Sequence, residues 1–95
     1  MTDKKTIHSL LRGLEVWARL YEATDPIPLA ALHQATQIPK SSLLTILATL
    51  EDVGMAEETP AGWTVPASFI IRFQTYTIRR IRNAEKLRRI AREQD

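Results

Sequence analysis

The chain has 95 residues, 44% of them apolar and 25% charged, with a formal net charge of +2 at pH 7. That is enough for one hydrophobic core, too little for two, and too apolar for wholesale disorder. The absence of cysteine excludes disulfides, thiolate metal sites and thiol nucleophiles, and it fits a reducing compartment.

Ile7, Leu10, Leu11, Leu14, Trp17, Leu20 and Tyr21 recur at spacings of three and four, predicting a helix from about Thr6 to Ala23 with one continuous apolar face. On this periodicity Leu14 and Trp17 belong to the core, and Thr6 or Ser9 is the expected N-cap. Thr24-Asp25-Pro26 ends the helix, because a residue before proline is pushed out of the helical region. Pro28 then suits an early position of a second, two-turn helix carrying Leu29, Ala30, Ala31, Leu32 and Ala35. Thr36-Gln37-Ile38-Pro39 makes a tight turn. A third helix is predicted from about Lys40 to Val53, burying Leu43, Ile46, Leu47 and Leu50, with Gly54 as its left-handed C-cap.

After Gly54 the period changes. Met55-Ala56-Glu57-Glu58 and Trp63-Thr64-Val65 are short strand candidates around the turn Thr59-Pro60-Ala61-Gly62. Trp63 is expected beneath the hairpin rather than against a ligand. From Pro66 to about Gln94 there is no glycine or proline in between, and Phe69, Ile70, Phe73, Thr77, Ile81, Ala84, Leu87 and Ala91 form an imperfect stripe along one long helix, with or without a break. Charge divides at the same place. Residues 1–67 carry five basic and eight acidic side chains, net −3, whereas residues 68–95 carry eight and three, net +5. A basic tail of this kind fits a polyanion, an acidic protein, or a solvated helix face.

The fold class is therefore mainly α: three helices plus a small β-hairpin wing, a winged helix-turn-helix over residues 6–66, extended by a long basic helix over 67–95. In that arrangement the leading end of the third helix offers Lys40, Ser41, Ser42, Leu44 and Thr45, with Thr49 one turn further. Lysine suits phosphate or guanine, serine suits phosphate, and threonine suits a base edge or a thymine methyl. The alternative is that the serines merely cap the helix while Lys40 is solvated. Arg12 reaches phosphate from the first helix or pairs with Glu15 or Glu22. His8 and His33 lack the neighbours of a metal site, and Glu51-Asp52 and Glu57-Glu58 lack the spacing of an acid–base pair. No enzyme and no cofactor is expected.

Four stretches together resemble a known family: Ser9-Leu10-Leu11-Arg12-Gly13-Leu14-Glu15-Val16, Pro28-Leu29-Ala30-Ala31-Leu32, Ala35-Thr36-Gln37-Ile38-Pro39-Lys40-Ser41-Ser42 and Leu47-Ala48-Thr49-Leu50-Glu51-Asp52-Val53-Gly54. They look like the N-terminal DNA-binding domain of IclR-type transcriptional regulators, over roughly residues 6 to 66. The resemblance implies dimeric operator recognition, with the Lys40 helix in the major groove and the hairpin beside the backbone. Two positions depart from the family pattern: Gln37 stands where glycine is usual, straining or shifting the turn at about 1 kcal/mol, and Thr45 stands where an arginine-like reader is common. The family's effector domain does not follow within these 95 residues, and on this reading no small-molecule effector site is expected.

These readings predict sequence-specific double-stranded DNA binding and transcriptional regulation by a homodimer. Dimerisation is assigned to Phe69, Ile70, Phe73, Ile81 and Leu87, too apolar for a free helix, with backbone tracking as the other use of the basic helix. The competing reading is a protein-interaction or assembly module, consistent with the acidic balance of residues 1–67. No apolar run approaches the ~20 residues of a membrane span, and no signal-peptide core follows Lys5, so a cytoplasmic, nucleoid-associated protein of bacterial or phage origin is expected.

Overall fold

The computed structural model describes residues 6–93. In chain order the elements are α1 (His8–Glu22), α2 (Leu29–Thr36), α3 (Lys40–Asp52), β1 (Glu57–Thr59), β2 (Gly62–Thr64) and α4 (Ala67–Glu93). α1, α2 and α3 pack together, and the antiparallel hairpin β1–β2 closes one side, pairing Glu57 with Thr64, Glu58 with Trp63 and Thr59 with Gly62. This is a winged helix-turn-helix with a long C-terminal helix, as the element order predicted.

The core is small: Val16, Leu20, Leu32, Ile38, Leu43, Leu47, Ala56, Trp63 and Val65. Trp63 lies under the hairpin, as expected. Its backbone exchanges two hydrogen bonds of 2.8 Å with Ile27, which tie the α1–α2 connection to the wing as an isolated bridge. Gly62 makes this approach possible, because a Cβ there would lie 2.5 Å from the carbonyl carbon of Ile27. The hairpin turn is closed by Thr59, whose hydroxyl donates to the Gly62 carbonyl and accepts from the Ala61 N–H.

α1 corrects two expectations. It starts at His8 from an extended Ile7 with no side-chain cap, so neither Thr6 nor Ser9 caps it. Its buried residues are Val16 and Leu20, whereas Ile7, Leu10, Leu11 and Leu14 are 50–64% exposed. At 100° per residue Val16 falls on the side opposite Ile7 and Leu14. The helix thus has two apolar faces, and the narrower one meets α2 and α3.

α4 runs unbroken for 27 residues with no buried residue. Its first two turns dock on α1. Phe69 and Ile70 are half-buried against the core, and ring centroids lie 5.7 Å apart for Trp17–Phe69, 6.0 Å for Trp17–Phe73 and 5.8 Å for Tyr21–Phe73. The indole N–H of Trp17 is buried there without an acceptor among the described residues. Beyond this aromatic cluster the helix leaves the body. The radius of gyration is accordingly 17.8 Å, against about 12 Å for a compact chain of this length.

Candidate nucleic-acid interface

The two helices of the central motif are both entered from proline. Pro28 and Pro39 are the N-caps of α2 and α3, neither with a side-chain cap bond. In α3 the first amide with a helical acceptor is that of Leu43, bonded to Pro39 O at 2.9 Å. The amides of Lys40, Ser41 and Ser42 therefore point out of the leading end unpaired by the helix, where the dipole favours an anion. The serines do not cap the helix.

The angle of α3 against α2 is fixed by a set of short bonds in the turn. Gln37 adopts φ +61°, so the turn keeps the left-handed conformation that glycine would take. The Gln37 side chain donates to Gln34 O at 2.8 Å. Thr36 Oγ1 donates to Leu32 O at 2.7 Å and accepts from Ile38 N–H at 3.2 Å. His33 Nδ1 lies 2.7 Å from Ile38 O. A carbonyl only accepts, so Nδ1 carries the hydrogen. His33 is a brace for the turn.

Arg12, Ser9, Ser41, Ser42, Thr45 and Ile46 line one open cleft between the start of α1 and the start of α3. Four of the seven residues chosen from sequence as DNA contacts thus share a surface, and Ser9 joins them. Glu15 pairs with Arg19 instead of Arg12, at 3.8 Å between exposed side chains, and no ion pair among the described residues holds Arg12. Lys40 is exposed at the same end.

A second shallow groove runs along the outward side of α3, lined by Leu44, Thr45, Ala48, Thr49 and Asp52. Leu44 is 49% exposed, and Thr45, Ala48 and Thr49 are exposed too. Ala48 and Asp52 were missed by reasoning from residue chemistry, but their placement one and two turns after Thr45 could have found them. The hairpin, from Met55 to Val65, offers no cation to phosphate, and Glu57 and Glu58 are exposed on β1.

The residues chosen for dimerisation divide. Phe69 and Ile70 face the chain's own core, Phe73 is 40% exposed beside Trp17 and Tyr21, and Ile81 and Leu87 stand 53% and 66% exposed on the free part of α4.

The family model of the IclR helix-turn-helix domain matches residues 9–60. The chain belongs to this family. The match takes in all of α2, α3 and β1 and most of α1. The IclR domain is a DNA-binding module of transcription regulators, and its family is not one of enzymes. No curated protein matches the chain. Among the described residues no helix is long and apolar enough to cross a membrane.

Proposed function

We propose that the chain binds specific duplex DNA sequences as a homodimer and regulates transcription through that binding. α3 enters the major groove, while Arg12 lies against the sugar–phosphate backbone. The observation that carries this reading is the cleft joining Arg12 to Ser41, Ser42 and Thr45, beside a helix end with three unpaired amides. A guanidinium, two hydroxyls and a cluster of N–H groups converge where one phosphate would sit.

The division of labour is a reading head at residues 6–66 and a pairing helix at 67–93. Along α4, Ile70, Phe73, Thr77, Ala84, Leu87 and Ala91 fall on heptad-spaced positions, with Arg80 at the one position between Thr77 and Ala84 and Ile81 beside it, the pattern of a two-helix seam interrupted once. Arg72, Arg79, Arg82, Lys86 and Arg89 fall on the opposite side, and Arg80 and Arg88 stand on the seam side. Since Phe69 and Ile70 are engaged at home, the pairing surface starts at Phe73 and runs outward through Ile81 and Leu87.

The test is duplex binding by the purified chain to a site selected from a random library, titrated at two salt concentrations. Binding weakens steeply with salt, and Lys40→Glu and Arg12→Ala each lower the slope of log affinity against log salt by about 1. Affinity indifferent to salt and to Lys40→Glu would sink the proposal. Capture of a protein partner with no duplex binding even in low salt would favour the interaction-module reading.

A further inference from the structure

α3 contains no Arg, Asn, Gln or His, the side chains that make bidentate contacts to guanine or adenine. Its one long donor, Lys40, sits at the very first position. What the rest of the outward side offers is Leu44, Thr45, Ala48 and Thr49. The threonine hydroxyl hydrogens are already committed: Thr45 Oγ1 donates to Ser41 O at 3.2 Å, and Thr49 Oγ1 donates to Thr45 O at 2.8 Å. Each hydroxyl therefore presents only lone pairs outward, next to its own methyl group.

From this we infer that the reading head recognises thymine methyl groups and exocyclic amino groups and is blind to guanine along the body of α3. The inference rests on the DNA-binding reading above and names the base class that site accepts. In the major groove thymine shows a methyl, adenine and cytosine show an amino donor, and guanine shows only its O6 and N7 acceptors. Leu44, Ala48 and the threonine methyls match the first, and the threonine lone pairs match the second. An acceptor on guanine meets either an alkyl group or another acceptor. Guanine contact is left to Lys40 at one edge of the site. Asp52, at the trailing end of the same groove, adds a further acceptor and repels phosphate, which confines close approach to the first three turns.

The experiment uses the full wild-type chain and duplexes selected from a random library. Selected half-sites carry T·A pairs at their inner positions, and replacing each inner thymine by deoxyuridine, which deletes only the methyl, weakens binding about fourfold per methyl. Replacing guanines by 7-deazaguanine changes affinity less than twofold except at the edge read by Lys40. Thr45→Val keeps the methyl and removes the oxygen, so thymine preference survives while preference for adenine or cytosine at the neighbouring position is lost. Loss of affinity well beyond twofold on placing 7-deazaguanine at inner positions, or indifference to deoxyuridine, overturns the inference while leaving DNA binding intact. Failure to select any duplex overturns both.

Discussion

Gln37 and Gly62 bear the two most demanding backbone conformations among the described residues, and they differ in how replaceable they are. At Gln37 the left-handed φ costs about 1 kcal/mol for a side chain with a Cβ, partly offset by the bond from its amide to Gln34 O. Gln37→Gly should therefore raise stability by about 0.5–1 kcal/mol, read from the urea midpoint. A lower midpoint would mean that the amide bond outweighs the conformational cost. At Gly62, φ is +135° and a Cβ would press on the Ile27–Pro28 backbone. Gly62→Ala should cost about 3 kcal/mol and loosen the wing, seen as faster amide exchange at Ile27 and Trp63. Unchanged exchange would refute that account. The conformation at Gln37 was legible from its place in the turn. The need for Gly62 was not, because its partner Ile27 lies 35 residues away and only the folded bridge brings them together.

At the scale of elements, periodicity found every helix, and the breakers Gly and Pro found nearly every boundary. For α3 it also named the right core residues, Leu43 and Leu47, with Ile46 and Leu50 half-buried against them. For α1 it named Leu20, which is buried, and Trp17 and Tyr21, which pack against the core, but it missed Val16 and counted Ile7, Leu10, Leu11 and Leu14, which are exposed. A periodic pattern reports that a face is apolar and says nothing about what lies opposite, and here Val16 and Leu20 sufficed for the interior. The reading predicts a sharp contrast: Leu47→Ala should cost about 2–5 kcal/mol by leaving a cavity, and Leu14→Ala less than about 1 kcal/mol. Equal losses in chemical denaturation would show that Leu14 is covered in solution. The candidate contacts were legible to a similar degree. Lys40, Ser41, Ser42 and Thr45 follow from position on the helix, but Arg12's company with them comes from how α1 crosses α3, which no spacing encodes.

For the whole molecule, the decisive contrast lies between a head that packs on itself and a helix that does not. The exposed apolar residues of α4, with Arg80 and Arg88 among them and most of its cations opposite, fit the proposed partner, and a second copy supplies an identical stripe. Ile81→Glu combined with Leu87→Glu should halve the mass measured by sedimentation while the far-ultraviolet circular dichroism of the head persists, because neither residue touches the core. Duplex affinity should fall with it, since two joined heads bind a double site far more tightly than one. A wild-type chain that sediments as a monomer at tens of micromolar would remove this assignment.

Because α4 meets the body, among the described residues, through Phe69, Ile70 and Phe73, the remaining length, about 30 Å of rod, projects as a stalk. If two copies pair through these stalks as proposed, the heads should swivel relative to each other without breaking the join between them. Inserting one base pair between paired half-sites turns one of them by about 35° around the duplex, and affinity should drop only severalfold. A rigidly braced pair would instead lose nearly all the benefit of its second head.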